Sequence, residues 1–356
     1  MRIEKGIGLF LIYLLISFPL FYFVYKFGDP EPLAHDFFQY YKLYYHMDVF
    51  NTISPHNMRL VGAWFVHLFY KLNLFYDTET AFDKYYQQWG FLKQVYFDAV
   101  FFNFICVAST ATLIFKLIYE ELRQVVLSFI GGVLYLLGFG TLFYHLMPLT
   151  DAFSTLLFVA GFFAYRIQSY SIMLVLGLLI FQREYLLLVF GLLACVDLIK
   201  LRQRYYLTVL SGSVFCFIVY YMLRATVFYN PALAWQAKPG FMWDSLVHLR
   251  FVNGVYFKQL ALTLNLFVLY FGVVLLKLRK KILIDKLDLL KIVLLFVQAN
   301  FLAISGGHGN NVGRYFYLVV PYVIYCLVME VVPFFRDTLN HSEHGGEAGR
   351  RATGFG

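Results

Sequence analysis

The sequence predicts an all-α, polytopic integral membrane protein with about ten transmembrane helices, and three observations favour this class. Of the 356 residues, 61% are hydrophobic, and only 14% are charged, whereas a soluble globular protein has roughly 25% charged residues. Aromatic residues make up 21% of the chain. Apolar runs of helical length also recur along most of it. A soluble fold cannot bury this much apolar surface, so lipid must be the main solvent.

The apolar runs define the predicted transmembrane helices. Several are under about 17 residues and are expected to be short, tilted or re-entrant. The first run follows a short basic start and has no small-residue cleavage site behind it, so we interpret it as a retained helix rather than a signal peptide. The predicted spans cover residues 7–25, 95–117, 124–146, 151–166, 169–182, 184–199, 206–229, 259–276, 291–306 and 314–333.

Loop charge predicts the orientation of the chain. Arg2 and Lys5 precede the first span, which places the N-terminus in the cytoplasm because cationic residues favour the inner side. The inner loops then include "KLIYEELRQ", "YRIQSY", "LIKLRQRYY" and "KLRKKILIDKLDLLK", and they carry nearly all of the net charge of +8. Both termini are predicted to be cytoplasmic. No basic soluble segment is available to bind nucleic acid, so we exclude that partner.

Residues 60–76 are the one apolar segment that does not fit a crossing. A crossing here would invert every later loop and place "KLRKK" outside, and His67 and Lys71 interrupt the segment. We therefore interpret it as an amphipathic helix lying at the outer interface. It belongs to a long first outer loop that covers residues 26–94.

The domain organisation follows from these assignments. Residues 1–336 form a single transmembrane domain with a second large outer loop at 230–258. The stretch "HSEHGGEAGRRATGFG" is polar and rich in glycine and has no periodicity, so residues 337–356 are predicted to be a disordered cytoplasmic tail.

Costly polar residues gather on the predicted outer side. Ionisable residues at membrane depth are expensive and usually mark a site or a pathway. The residues in question are Asp36, Arg59, Asp151, Arg183, Glu184, His308, Asn310 and Arg314.

Each of these signals also has a plain structural alternative. The "PLTDAF" start around Asp151 suits a helix cap, and Arg183 and Glu184 suit a local ion pair in a tight turn. Arg314 is consistent with a side chain that snorkels to the interface, and Asp36 with a solvated loop acid. Convergence on one face is what favours a functional site.

Metal chemistry has little support in the sequence. His35, Asp36, His46 and Asp48 invite a metal interpretation, but their spacing matches no zinc pattern. A divalent cation stays an open alternative that the ligand spacing does not support, and no metal site and no certain cofactor are predicted. The four cysteines lie within apolar stretches and indicate small core residues rather than a disulfide framework.

A single carboxylate with several arginines suits the transfer of a group from a phosphate leaving group. The carboxylate accepts a proton from the incoming hydroxyl, and arginine neutralises and orients the departing phosphate. No phosphate-binding glycine loop, HExxH or GxSxG motif is present. Because there is no cytosolic domain to bind a nucleotide sugar, an outward-facing enzyme would need a donor carried on a lipid.

Three segments resemble the polytopic GT-C glycosyltransferases of bacteria: "HDFFQYYKLYYHMDVFNTISPHNMRLVGAWFVHLF", "LTDAFSTLLFVAGFFAYR" with "FQREYLLLVFGLLA", and "NNVGRYFYLVVPYVI". The resemblance implies a GT-C-like membrane fold in the bacterial inner (cytoplasmic) membrane. It also implies an inverting transfer from a polyprenyl-phosphate sugar to a glycan, lipid or protein acceptor on the outer face. A catalytic acid is expected in the first outer loop, and Asp36 matches it.

These expectations assign a role to each candidate residue. Asp36 is the predicted general base, walled by Phe37, Phe38, Tyr40 and Tyr41. Arg183 is expected to hold the donor phosphate, with Glu184 fixing its orientation. The predicted substrate-binding residues are Arg59, Tyr40, Tyr41, Asp151, Arg183, Glu184, His308, Asn310 and Arg314.

Other functions stay open from the sequence. Another outward-facing enzyme of lipid-linked substrates, such as a polysaccharide polymerase or an acyltransferase, also suits a chain of this size. A lipid or sugar transporter would be favoured by inverted repeats, which are not apparent. A structural subunit of a membrane complex is the plainest alternative.

Overall fold

A computed structural model describes residues 3–28, 34–52, 56–74, 76–228, 244–245, 247–248, 252–305 and 312–351. All regular structure in these residues is helical, which confirms the predicted all-α class. The α-helices are α1 (Ile3–Phe27), α2 (Ala34–His46), α3 (Leu60–Leu72), α4 (Asp83–Trp89), α5 (Lys93–Leu122), α6 (Val125–Leu136), α7 (Asp151–Arg166), α8 (Ile172–Ile180), α9 (Glu184–Leu201), α10 (Arg204–Thr226), α11 (Gly254–Thr263), α12 (Asn265–Arg279), α13 (Lys286–Ser305) and α14 (Val312–Arg351).

Among the described residues, five helices are long and apolar enough to cross a membrane, namely α1, α5, α10, α13 and α14. The pair α11 and α12 makes a sixth if its two parts, bent by 62°, form one span. The ten predicted spans are therefore not confirmed. In the middle of the chain, α6, α7 and α8 have only 12, 16 and 9 residues, whereas α9 has 18 residues but contains Glu184, Asp197 and Lys200. α8, with 9 residues, rises only about 14 Å, against a hydrocarbon core of about 30 Å.

Two of the long helices form the centre of the bundle. In the apolar windows of α5 and α14, 67% and 78% of the residues are buried, compared with 22–28% in α1, α10 and α13. α5 packs against α1, α6 and α7, and α14 packs against α7, α12 and α13. The outer helices expose large apolar side chains, among them Leu15 and Phe23 of α1, which fits a surface that faces lipid.

The interfacial segment predicted at 60–76 contains α3. This helix has 13 residues and ends where Asn73 adopts a left-handed conformation. It rises about 20 Å, which is too short to span the hydrocarbon core alone. It packs against α2 and α5, so it belongs to a layer that covers one end of the bundle.

Two predicted loop regions are only partly described. Of the second outer loop at 230–258, the structure describes residues 244–245, 247–248 and 252–258, and α11 begins inside this range at Gly254. The last helix is described up to Arg351, so it continues into the segment 337–356, for which the sequence predicted a disordered tail.

Two glycines allow α14 to approach the turn that precedes α7. A Cβ atom on Gly140 would overlap the ring of Tyr317, and one on Gly313 would overlap the hydroxyl oxygen of Tyr144. Only a residue without a side chain fits at these two contacts. The approach brings the first turn of α14, with Arg314, beside the first residue of α7.

Buried charges pair at the end of the bundle where α7 and α9 finish. Lys291 Nζ of α13 lies 2.7 Å from Asp197 Oδ1 and 3.6 Å from Asp288 Oδ1. Lys277 Nζ of α12 contacts Glu330 of α14. We refer to these five residues as the Lys291 cluster. Their close pairing is what allows charged side chains to be buried between the helices.

Candidate active site

Six polar residues meet at the opposite end of the same helices, and we refer to them as the Asp151 cluster. Each lies at or just before the start of a helix or helical turn. Helix N-termini carry partial positive charge and unpaired N–H groups, so they favour anions. The cluster consists of Asp36 (first turn of α2), His56 (the 3₁₀ turn His56–Met58), Arg59 (before α3), Asp151 (start of α7), Arg183 (before α9) and Arg314 (first turn of α14).

Arg314 joins the two carboxylates of this cluster. Its Nε atom donates to Asp151 Oδ2 at 2.8 Å, and its Nη1 atom donates to Asp36 Oδ2. Its Nη2 atom lies 2.7 Å from the same oxygen of Asp151, without a hydrogen aligned on that oxygen. Arg314 is only 5% exposed. It is therefore an internal ion-pair residue, and the alternative of a side chain that snorkels to the interface is wrong.

Asp151 is the most deeply buried acid of the cluster. Its Oδ1 atom accepts a hydrogen bond from Arg183 Nη2, so the carboxylate lies between two guanidinium groups. Its side chain is 1% exposed, and a charge this deep requires such partners. Thr150 makes no side-chain cap to α7. The residues around Asp151 therefore do more than begin a helix.

Arg183 was expected to contact Glu184, but its ion-pair partner is another carboxylate. Arg183 pairs with Asp151, 32 residues earlier in the chain. In the described part of the chain, no ion pair joins Arg183 to Glu184. Glu184 is near enough to Arg59 and Arg183 for their charges to interact, so it belongs to the edge of the cluster.

Arg59 differs from the other two arginines because no carboxylate of the described residues pairs with it. Its Nη1 atom donates to the hydroxyl of Tyr40, which also accepts a hydrogen bond from Thr150 Oγ1 at 3.3 Å. Arg59 is 8% exposed. It is close enough for its charge to interact with those of Glu184, Asp151 and Arg314. A buried guanidinium held by a neutral hydroxyl keeps its positive charge available for a ligand.

Gln182 connects three of the segments that carry the cluster. Its Oε1 atom accepts a hydrogen bond from Gly62 N at 2.9 Å. Its Nε2 atom donates to Thr150 O at 2.9 Å and to Ser154 Oγ at 3.0 Å. The side chain is almost fully buried. One amide therefore fixes the starts of α3 and α7 relative to the turn before α9.

His56 completes the cluster on the side of Asp36. Its Nε2 atom lies 3.2 Å from Asp36 Oδ1, and its ring contacts the Tyr40 ring edge-on at 5.1 Å between centroids. Burial lowers the pKa of His56 below the ordinary value of 6.5. The charges of Arg59 and Arg314 act in the same direction, against the hydrogen bond to Asp36. Burial and the two arginines therefore favour the neutral form of the imidazole.

Several buried polar atoms of this region have no hydrogen-bond partner among the described residues. Buried polar atoms are almost always paired, so a group of unpaired ones indicates a place where a ligand binds. They are His56 Nδ1, Asn57 Oδ1, Arg59 Nε and Arg314 Nη2. Three of them belong to the segment "HNMR" that leads into α3.

The predicted aromatic wall around Asp36 is not what surrounds it. Phe37 packs edge-on against Phe82 and Phe91, and Phe38 is 43% exposed. Asp36 instead contacts the guanidinium of Arg314 and the imidazole of His56. Its immediate environment is therefore ionic and polar, because the apolar face of α2 is turned to the core.

Of the two tyrosines predicted to bind substrate, only Tyr40 joins the cluster. Tyr41 accepts a hydrogen bond from the backbone N–H of Leu92 at 3.0 Å and packs on the ring of Phe91. His308 and Asn310 lie outside the described residues. The sequence reasoning missed His56 and Gln182, although His56 precedes the predicted Arg59 by only three residues.

No group of three or more His, Cys, Asp or Glu side chains that could hold a metal ion occurs in the described part of the chain. The donors of the Asp151 cluster are mostly guanidinium groups, which repel a metal ion. Its chemistry suits an anionic group and a proton that must be accepted.

Comparison with known proteins finds no family model, no curated protein and no solved structure that matches this chain. The resemblance to the GT-C glycosyltransferases stays a prediction from the quoted segments.

Proposed function

We propose that the protein is a membrane glycosyltransferase of the GT-C type. It would transfer a sugar from a polyprenyl-phosphate donor to an acceptor hydroxyl on the outer face of a bacterial inner membrane, with inversion. The observation that carries the proposal is the Arg314 bridge between Asp36 and Asp151. This bridge unites residues that the sequence had selected independently in three distant segments. A proton-accepting carboxylate thereby lies beside a group of buried arginines.

The arginines supply the site for the donor phosphate. Arg59 has a buried Nε atom without a hydrogen-bond partner among the described residues, and Arg314 has an Nη2 atom that lies 2.7 Å from Asp151 Oδ2 without an aligned hydrogen bond. Arg183 is held by Asp151. A phosphate oxygen is a strong acceptor for guanidinium donors, which are pre-organised here and need no rearrangement when charge develops on the leaving group.

An apolar cleft suits the lipid part of the donor. It measures about 580 Å³ and runs between α9, α10 and α13. Its lining extends along α9 from Leu187 to Lys200, a distance of about 20 Å at 1.5 Å per residue. Almost all of the lining is apolar, and the cleft begins one turn beyond Arg183. An isoprenoid chain whose phosphate binds the arginines has an apolar path available here.

The proposed reaction is an in-line displacement at the anomeric carbon. The acceptor oxygen forms the new C–O bond while the bond to the phosphate oxygen breaks, and the electron pair leaves with the polyprenyl phosphate. The acceptor proton passes to the protein. The sequence assigned this role of general base to Asp36, and the proposal requires that this carboxylate either takes the proton or holds the group that takes it. Glycan, lipid and protein hydroxyls are all acceptors that this chemistry accommodates.

The proposal is tested by Asp36→Asn, which keeps the size of the side chain but cannot accept a proton at neutral pH. Sugar transfer by purified protein in detergent is measured with a panel of polyprenyl-phosphate sugars. General-base contributions are typically ~10²–10⁴-fold, so the rate is expected to fall by that amount while donor binding persists. Folding should hold because Arg314 keeps its contacts with Asp151.

Asp48→Asn is the matched control. Asp48 lies twelve residues after Asp36 but only holds a turn, since its carboxylate accepts hydrogen bonds from Asn51. This variant should transfer at nearly the wild-type rate. Wild-type activity in Asp36→Asn would remove that carboxylate from the mechanism. Failure of the wild type to transfer any sugar from the panel would contradict the proposed function.

A further inference from the structure

Both oxygens of Asp36 are already engaged. Oδ2 accepts a hydrogen bond from Arg314 Nη1, and Oδ1 lies 3.2 Å from His56 Nε2. A carboxylate whose two oxygens accept from a guanidinium and an imidazole is a weakened proton acceptor, because both contacts stabilise its charged form. The proton of the sugar acceptor's hydroxyl therefore needs a stronger base than Asp36, close to this carboxylate.

One nitrogen of the His56 imidazole makes no contact with Asp36. This nitrogen, Nδ1, is buried and has no hydrogen-bond partner among the described residues. In a neutral imidazole, one nitrogen carries the hydrogen and the other carries a lone pair. Because Nε2 faces a carboxylate, which only accepts, the hydrogen belongs on Nε2 and the lone pair on Nδ1.

The groups around the ring keep this lone pair available. Asp36 of α2 faces Nε2, and the positive charges of Arg59 before α3 and Arg314 of α14 act on the ring. The Tyr40 ring of α2 contacts the imidazole at its edge. The two cations and the burial disfavour a permanent proton on His56, whereas Asp36 stabilises a transient one. This balance is what a proton acceptor needs at neutral pH.

We infer that His56 is the group that takes the acceptor's proton, on Nδ1, and that Asp36 is the residue that positions it. The inference rests on the proposed function. As the acceptor oxygen bonds to the anomeric carbon, its proton moves to Nδ1, and the C–O electron pair leaves with the lipid phosphate. The resulting imidazolium keeps its Nε2–H donated to Asp36 and later releases the Nδ1 proton to water.

His56→Gln tests this assignment because glutamine retains an N–H donor for Asp36 but has no basic nitrogen. The transfer rate at saturating donor should fall by about 10²–10⁴-fold, with unchanged donor binding and thermal stability. The matched control is His67→Gln. His67 lies in the neighbouring helix α3, where its Nδ1 atom contacts Tyr44 O at 2.8 Å, and its variant should keep most of the activity.

Two further measurements separate a proton acceptor from a structural histidine. In wild type, the rate should fall as the pH drops through the pKa of His56, which burial lowers from the ordinary value. In His56→Ala, added imidazole should restore transfer in proportion to its neutral fraction. A full rate in His56→Gln, or an inactive His56→Ala that imidazole does not rescue, would overturn the assignment while wild-type transfer leaves the proposed function intact.

The tautomer gives a test that does not depend on activity. In ¹⁵N spectra of the purified protein at pH 7, the resonance that disappears in His56→Gln should have its proton on Nε2 and a bare Nδ1. A proton on Nδ1 would contradict the inference, even if the wild type transfers sugar. An inactive wild type would remove both the proposed function and this role of His56.

Discussion

The two ends of the bundle both bury charged residues, but they differ in how completely these residues are paired. α14 carries a residue of each cluster, Arg314 and Glu330, and α9 begins directly after Arg183 and contains Asp197. In the Lys291 cluster each charge has a partner. Lys291 lies between Asp197 and Asp288, and Glu330 accepts from Lys277 and from the backbone N–H of Asp285.

The Asp151 cluster, by contrast, is incomplete as a network. His56 and Arg59 each keep a buried side-chain nitrogen without a hydrogen-bond partner among the described residues, whereas no buried side-chain nitrogen or oxygen of the Lys291 cluster lacks one there. A fully paired polar network stabilises a unique packing, whereas an unpaired buried group costs free energy unless something binds it. The two clusters therefore differ in unsatisfied hydrogen-bonding capacity and not in the burial of charge.

The largest expected effect is a difference in cysteine labelling, because the two clusters are predicted to lie on opposite sides of the membrane. In a variant without native cysteines, Thr78→Cys, between α3 and α4, should react with a membrane-impermeant maleimide in intact cells. Lys280→Cys, at the end of α12 near the Lys291 cluster, should react only after permeabilisation, because cationic loops stay inside. Labelling of position 280 in intact cells would place the Asp151 cluster in the cytoplasm and end the case for a transfer on the outer face.

The second prediction compares one buried aspartate from each cluster. Asp151→Asn and Asp197→Asn each leave buried cations uncompensated, so both should lower stability by about 3–5 kcal/mol. Only Asp151→Asn should also abolish sugar transfer, because Asp151 holds two arginines of the site. Thermal unfolding in detergent and the transfer assay measure the two effects. Equal loss of transfer in both variants would mean that the two clusters do not differ in function.

The smallest effect is expected from substitutions that keep the charge. Arg183→Lys replaces a planar fork by a point charge. Hydrogen bonds to charged groups contribute about 1.5–3 kcal/mol, so transfer should fall roughly tenfold to hundredfold. Arg166→Lys is the control. Arg166 makes the same type of contact, to Glu121 at 2.7 Å, near the other cluster. An unchanged rate in Arg183→Lys would exclude Arg183 from phosphate binding.

The helical class follows from composition alone, but the number of spans does not. Apolar composition shows that a segment avoids water, and it does so equally for a helix that faces lipid and for one packed inside protein. α8 is strongly apolar yet has only 9 residues. α11 and α12, merged in the predicted run 259–276, are bent by 62°. Packing against neighbouring helices decides where an apolar run breaks into two helices. Hydropathy carries no information about this packing.

The site was partly predictable for a related reason. Asp36, Asp151, Arg183 and Arg314 stood out because an ionisable residue in apolar surroundings is conspicuous, and the structure brings all four together. The expected contact between Arg183 and Glu184 was wrong, because adjacency in sequence does not by itself bring two side chains together. His56 and Gln182 were missed because a histidine and a neutral amide in a polar loop are ordinary. Only their three-dimensional contacts reveal their roles.

The Arg314 bridge also has a consequence for biosynthesis. Arg314 follows Asp36 by 278 residues, which at about 5–20 residues per second means roughly 14–56 s between their emergence from the ribosome. During this interval, Asp36 and Asp151 lack the guanidinium that joins them, and Asp151 has Arg183 as its guanidinium partner. The starts of α2 and α7 are therefore joined through Arg314 only when α14 has been inserted. Chains that stall before this helix lack this link.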